Sequence, residues 1–439
     1  MIPHDCTFLP ISSGALLVSR DHAVFCRVPP GEIDEMRAVV LHEAPVDALS
    51  PAMLNDLERH GFFGPPRPAK PDSPSVQLQL TNACNLACSY CCTNSGQPRT
   101  KEVRYDQMLQ VVRQVPEALG AGTHVALLGG EPLLVPWAIN LASEIVRLGL
   151  PLTIFTNGVL LADDGLAEGV ARLIGEGVQV RVSLGGPSAE TCDTISGAGR
   201  FNTVLHGLHR LAAFGARATV DLMFMPQHVE AVSSELPRLR ERLPPHTPIA
   251  LGVLYMGGRE IGEHLFRSRA ELDAALDRVA FEAGEAIAAA RTRPVTYRRE
   301  GCACAVGQHV HVRSDGALFN CFKMEEKVGH LETVGFAAAA QSIRAHPRRA
   351  RELPACADCP LATLCGGGCR SENWLYTGNP DEPPCGPWRV RVMSELLAED
   401  RVTAVEWSVA FLLHEARMRG IETPEDLSPR QRSRHLTEP

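Results

Sequence analysis

From residue 75 the sequence repeats one pattern six times. Short runs rich in apolar and β-branched residues stand at SVQLQLT (75–81), HVALLGG (124–130), LTIFTNG (152–158), VQVRVSL (178–184), ATVDLMF (218–224) and PIALGVLYM (248–256). Amphipathic segments lie between them. Tyr105, Met108, Leu109 and Val112 share one helical face; so do Leu134, Trp137, Leu141, Ile145 and Leu148, with Gly149 as a stop, and Leu205, Leu208, Leu211 and Ala212. An apolar period of two alternating with one near 3.6 predicts strands alternating with helices, hence parallel βα units. Six units predict an α/β fold, an open, partial (β/α)6 barrel over residues 75–292. In that architecture chemistry sits at the C-terminal ends of the strands.

The flanks follow other rules. Residues 1–63 read as a small winged-helix-like domain. Two short strands are expected around SRDH, a helix carries Ile33, Met36 and Val40, and a second begins at Ser50-Pro51 and stops at Gly61. GPPRPAKPDSP (64–74) holds five prolines and predicts a stiff linker. Ser268 and Glu271 form a capping-box pattern before a helix running to about residue 291. Then the rhythm stops. HVHVRSDGALFNCF (309–322) predicts a β-hairpin turning at Asp315-Gly316. Residues 340–386 show little periodicity and much Cys, Gly and Pro, as expected where metal rather than packing holds a small core. This cysteine-rich region spans 293–387, and 388–439 reads as helices and a polar tail.

Composition excludes some function classes. A net charge of −8 disfavours nucleic acid as a partner, because phosphate is repelled. No run of 18 apolar residues predicts a membrane span, and MIPHDCTFLP lacks the basic and apolar regions of a signal peptide. A cytoplasmic location is expected. There thiols stay reduced, so 15 cysteines point to metal before disulfides. They cluster: Cys84, Cys88, Cys91 and Cys92 in one loop, eight more from Cys302 to Cys385, and only Cys6, Cys26 and Cys192 scattered.

NACNLACSYCCTNSG (82–96) follows the first strand and carries C-x3-C-x2-C. Zinc staples want four closed ligands, and so does a fully held cubane. Three thiolates leave one iron open to a substrate. The loop resembles the cluster loop of the radical S-adenosylmethionine (SAM) enzymes, in which the open iron chelates the amino and carboxylate groups of SAM. The resemblance assigns a SAM-binding 4Fe–4S cluster to Cys84, Cys88 and Cys91, with Tyr90 before the third ligand. Cys92 is left over, expected as a small apolar residue packed under the loop. The resemblance extends to the next strand ends. Gly129, Gly130 and Glu131 match the family's GGE, where a carboxylate suits the SAM amino group; Thr156, Asn157 and Ser183 end the third and fourth strands, where polar groups reach the SAM carboxylate and ribose. The family often has an acidic residue two positions after that serine; this chain has Gly185.

Cys356, Cys359, Cys365 and Cys369 read C-x2-C-x5-C-x3-C, with Cys302, Cys304 and Gly316-x4-Cys321 upstream and Cys385 downstream. The spacing is similar to a SPASM domain, which carries two auxiliary 4Fe–4S clusters in many peptide-modifying radical SAM enzymes. Carried over, Cys356, Cys359, Cys365 and Cys385 hold the outer cluster. Cys321, Cys369 and one or both of Cys302 and Cys304 hold the inner one, with one of the pair expected as ligand and an open iron as the consequence. Zinc is the alternative for this spacing.

The resemblance implies SAM and three 4Fe–4S clusters, a precursor peptide as substrate, an electron donor such as flavodoxin or ferredoxin, and no membrane or nucleic-acid partner. The N-terminal domain resembles the leader-peptide recognition element of maturases of ribosomally made peptides (RiPPs), which adds the peptide as a strand. The expected reaction is hydrogen abstraction from a peptide followed by oxidative thioether or carbon–carbon crosslinking. Alternatives are epimerisation, maturation of a folded protein as in anaerobic sulfatase or quinone-cofactor maturases, and a non-catalytic metal-binding scaffold. Asp221 and Arg259 near strand ends are expected either to face the cavity or to form salt bridges.

Overall fold

The computed structural model describes residues 2–66, 68, 73–254, 257–259, 262, 264–283, 299–302, 304–324, 326–399 and 408–430. All six expected strands form: β4 (Ser75–Gln79), β5 (His124–Leu128), β6 (Leu152–Thr156), β7 (Gln179–Leu184), β8 (Thr219–Phe224) and β9 (Ile249–Val253). They pair in parallel in chain order. The helices between them include α3 (Tyr105–Leu119), α4 (Ala138–Arg147), α5 (Asp164–Gly175), α6 (Ala189–Ser196), α7 (Arg200–Ala213) and α8 (Val229–Arg242). Strand side chains alternate between faces. Val76, Leu78, Val125, Leu127, Val180, Val182, Val220 and Leu222 pack with the helices in the main core. The opposite face carries Gln77, Gln79, Thr153, Arg181, Ser183 and Asp221, a polar lining for the barrel.

The later hairpin differs from the expected separate unit. β10 (His309–Val312) and β11 (Ala317–Phe319) are antiparallel as expected, but β10 also pairs in parallel with β4, and β12 (Lys327–His330) adds to β11. One nine-stranded sheet results, in the order β12-β11-β10-β4-β5-β6-β7-β8-β9. The loop after β4 and the segment after β11 therefore rise from neighbouring parts of one sheet. Helix α9 (Arg269–Ala283) starts as expected, with Glu271 N donating to Ser268 Oγ at 3.0 Å; its expected continuation to 291 lies outside the described residues. So do residues 255 and 256 of the sixth run, much of the Pro-rich linker, and 400–407 and 431–439 of the C-terminal region.

The N-terminal domain has three strands rather than two: β1 (Cys6–Ile11), β2 (Gly14–Ser19) and β3 (Val24–Val28). Helices α1 (Ile33–Val40) and α2 (Pro51–His60) follow. Ser50 Oγ accepts from Met53 N at 3.2 Å, and Gly61 ends α2 at φ 83°. Both sheet faces are covered. Leu17, Val24, Cys26 and Val28 meet Met36, Val39, Met53 and Leu57 on one side. Ile11, Leu16, Val18 and Phe25 meet Trp388, Val392 and Leu396 of the helix Pro387–Ala398 on the other. Glu395 of that helix accepts Ser12 N at 2.6 Å and Ser12 Oγ at 2.7 Å, which ties the β1–β2 turn to the C-terminal region. Among the described residues no helix is long and apolar enough to cross a membrane.

Candidate active site

The C-x3-C-x2-C loop is a closed structure. Cys84 N donates to Gly96 O at 2.9 Å and Gly96 N to Asn82 O at 3.0 Å, so the loop returns to its own start. Gly130 N donates to Thr81 O at 2.8 Å and Glu131 N to Ala83 O at 2.9 Å. This pairing presses the end of β5 against the loop. A Cβ on Gly130 would stand 2.1 Å from Ala83 O, and one on Gly129 would stand 2.7 Å from Thr81 O. Both glycines are required by close approach of backbones. Glu102, which the sequence did not single out, accepts Thr81 Oγ1 at 2.6 Å, Asn82 N at 2.7 Å and Arg99 N at 3.0 Å.

Within the loop, Cys84 Sγ accepts from Leu86 N at 3.4 Å and Cys91 Sγ from Ser95 N at 3.3 Å. Burial pushes the Cys84 and Cys88 thiols up, and the neighbouring cysteines push them further. Grouped thiols of this kind resist ionisation unless a cation joins them, and a bound metal reverses that sign. Among the described residues no three His, Cys, Asp or Glu side chains converge as a single-ion site. Three thiolates on one loop suit a cubane with one open iron better than a zinc staple, which wants four closed ligands.

Arg259 resolves one open expectation. Its N donates to Cys91 O at 2.9 Å, Nη1 to Cys88 O at 2.9 Å and Nε to Asn94 Oδ1 at 2.8 Å, and Nη2 bonds Ser95 O. It staples the cysteine loop. The preceding Gly258, at φ 61°, lies so close that a Cβ would stand 2.2 Å from Cys91 O. Asp221, by contrast, is taken by Arg181, Nε to Oδ2 at 2.8 Å.

Two strand-end residues are hydrogen-bonded within the protein. Glu131 is fully buried. Its carboxylate accepts Leu133 N at 3.0 Å, Thr156 Oγ1 at 2.7 Å and Asn157 N at 2.7 Å. Burial raises its pKa and these bonds oppose that rise. Neither Glu131 nor the buried Thr156 has a side chain open to a ligand; together they lock the end of β6 onto that of β5. Asn157 does face the loop: Nδ2 donates to Asn85 Oδ1 at 2.7 Å and lies 3.8 Å from Cys84 Sγ. Ser183 is half-buried on the polar face of β7. Tyr90 lies half-buried in the loop. At Gly185 a Cβ would come within 2.9 Å of Ser196 Oγ, so a side chain there would have to displace that hydroxyl of α6. Ser196 itself lies 3.9 Å from Cys88 Sγ.

Cys92 is exposed rather than packed under the loop. It lines a cavity of about 140 Å³ together with Gln79, Asn82, Arg99, His311 and Lys323. The cavity separates the first cysteine loop from the segment after β11. There Cys321, Cys302 and Cys304 come together. Cys304 hydrogen-bonds to Cys302 and Cys321, which raises its own thiol and lowers that of Cys321. Cys302 acts on Cys369 as well. The structure brings both members of the C-x-C pair beside Cys321. Cys356, Cys359, Cys365 and Cys385 form a second group, each within electrostatic reach of others. Burial, then those neighbours, push Cys356 up to about 12.

These features define a class. Residues 78–231 match the Radical SAM superfamily, a family whose enzymes use SAM and a 4Fe–4S cluster. Among individual proteins, the stretch is similar to the mycofactocin maturase MftC of Mycobacterium ulcerans, 31% identical over 137 residues, 31% of this chain and 36% of that protein. It is also similar to the sporulation killing factor maturation protein SkfB of Bacillus subtilis, 29% identical over 160 residues, 36% of this chain and 38% of that protein. The matched stretch thus spans little more than a third of either relative. The fold is shared more widely. Streptococcus suis SuiB bound to S-adenosylmethionine superposes with TM-score 0.55 at 14% identity, covering 88% of this chain and 99% of that one. SuiB bound to its precursor peptide SuiA gives TM-score 0.54 at 14% identity and the same coverage.

Proposed function

We propose that this chain is a radical SAM maturase of a ribosomally synthesised peptide, with 1–63 as a peptide-recognition domain, 75–292 as the partial barrel and 293–387 as a SPASM domain. The observation that carries the reading is the shared sheet. Because β10 pairs with β4, the three-cysteine loop and the Cys321 segment face one polar cavity, where a substrate would lie between a radical source and an electron acceptor. The maturase names of the sequence relatives and the peptide in the SuiB–SuiA structure point the same way.

Cys84, Cys88 and Cys91 would hold the SAM-binding cluster; Cys302, Cys304, Cys321 and Cys369 the inner auxiliary cluster; Cys356, Cys359, Cys365 and Cys385 the outer one. Four convergent thiols favour a fully ligated inner cluster without an open iron. When bound, the reduced first cluster and SAM supply a 5′-deoxyadenosyl radical able to take hydrogen from an unactivated carbon. The chain's part is positioning. Arg259 and Glu102 fix the loop, Gly129 and Gly130 bring β5 against it, and Glu131 and Thr156 orient the β6 end so that Asn157 faces the loop. Asn157, Ser183 and the Gly129–Gly130 backbone would touch SAM, with Tyr90 beside them. The Arg181–Asp221 pair, Gln79 and His311 furnish a polar wall. Since both faces of the N-terminal sheet are covered, a peptide strand would have to add at an edge, along β1 or β3. Flavodoxin or ferredoxin would supply the electron, and the cysteine content suits the reducing cytoplasm.

The test is anaerobic incubation of the enzyme, SAM and dithionite with the shortest precursor peptide encoded nearby. Loss of two hydrogens per modification supports an oxidative crosslink. Formation of 5′-deoxyadenosine with the peptide mass unchanged would move epimerisation or a protein substrate forward. No 5′-deoxyadenosine from iron-loaded enzyme would defeat the reading.

A further inference from the structure

Among the described residues Arg389 is the largest side chain that is completely buried, with 1% of its surface exposed. It begins the helix Pro387–Ala398, just after Cys385. Its Nε and Nη1 have no hydrogen-bond partner, and Nη2 lies 4.0 Å from Cys365 Sγ. Among the described residues no carboxylate pairs with it within ion-pair distance. Glu372, whose charge reaches it, is engaged instead by Val409 N at 3.0 Å. The guanidinium also presses on the backbone: a Cβ on Gly368 would stand 2.9 Å from Nη2. Its field acts on Cys365 and Cys385, and on Cys359. An arginine buried without an anion is strongly unfavourable. A guanidinium with two spare N–H groups beside four grouped thiols therefore implies a negatively charged centre among those thiols.

We propose that Arg389 is a positioning residue for the outer cluster: Nε–H and Nη1–H donate to its sulfur atoms, and the fixed positive charge makes the reduced, more negative state easier to reach. Hydrogen bonds to sulfur and burial are the terms that set such potentials. The inference rests on the outer 4Fe–4S assignment made above. Arg20, from the β2–β3 turn, also faces this loop, donating to Ala357 O at 2.7 Å, but its side chain is 30% exposed. Solvent screens it, so its influence on the cluster is smaller.

The test is potentiometric EPR on the full chain with its iron–sulfur content reconstituted anaerobically, without peptide. C385A identifies the outer cluster as the signal it removes. If wild type and C385A carry the same iron and the same signals, the outer-cluster assignment fails. Given that signal, R389Q is expected to keep the iron and move its midpoint to lower potential, by more than R20Q does. An unchanged midpoint, or an R20Q shift as large as that of R389Q, overturns the proposal. A second measurement needs no variant. In wild-type chain labelled with 15N-arginine, pulsed EPR of the reduced outer cluster should show a 15N coupling, which R20Q retains; its absence overturns the proposal even if R389Q loses its metal.

Discussion

Removing the Arg259 side chain should loosen the SAM-cluster loop without unfolding the barrel. Arg259→Ala deletes three side-chain bonds, to Cys88 O, Asn94 Oδ1 and Ser95 O, and leaves the backbone bond to Cys91 O. Hydrogen bonds from a charged donor contribute about 1.5–3 kcal/mol each. The site is half-buried, so water recovers part of that, and a net loss of about 2–4 kcal/mol in loop closure is the reasonable figure. At 1.4 kcal/mol per tenfold, iron should leave the first cluster about 30- to 1000-fold faster. The assay is release to an iron chelator under anaerobic conditions, followed by absorbance, beside thermal unfolding and 5′-deoxyadenosine formation. Arg259→Lys keeps the charge but loses the fork, and should fall between the two. If folded Arg259→Ala releases iron at the wild-type rate, Arg259 does not staple the loop.

Other outcomes follow from the same geometry. Gly130→Ala must move Ala83 by about 1 Å; it should cost about 1–3 kcal/mol of stability and roughly 100-fold in 5′-deoxyadenosine formation, and wild-type values for both would refute the close-approach argument. Glu131→Gln should lower stability by about 1–3 kcal/mol through loss of one acceptor among three bonds, measured by chemical denaturation. His311 is buried and neutral, its pKa lowered to about 3 by burial and then by Arg313. Because the folded pKa lies below the ordinary value near 6.5, its contribution is full above pH 6.5 and is lost as pH falls toward 3. From pH 7 to 5 the loss should be about 2 kcal/mol, and a His311→Gln variant that shows the same pH dependence would remove His311 as its cause.

Much of this molecule is legible from one-dimensional pattern. The βα rhythm lies in residues whose burial is set by alternation, so all six strands formed where expected. The capping of α2 by Ser50 and Gly61 is equally local. Other features carry no local signal. The helix Arg370–Thr377 carries no apolar period because its buried first turn is Arg370, Ser371, Glu372 and Asn373, and the first three find partners far along the chain: Arg348 O, Lys323 O and Val409 N. β1 was missed because an edge strand with Pro10 and half-exposed residues shows no clean alternation.

At the site the same division holds. Cysteine spacing by itself marked the thiols, because ligation chemistry constrains sequence directly. Long-range contacts decided which thiols meet and what surrounds them. Arg259 reaches a loop more than 160 residues earlier in the chain. Glu131 is held by Thr156 and Asn157 at the end of β6, and Cys92 lines the cavity between its own loop and the segment after β11. Pairing of β10 with β4, which no periodicity announces, brings two cysteine groups to one cavity. Sequence determines which groups can do chemistry; tertiary structure decides which are spent holding the others in place, since hydrogen bonds and burial between distant segments exist only once the chain has folded.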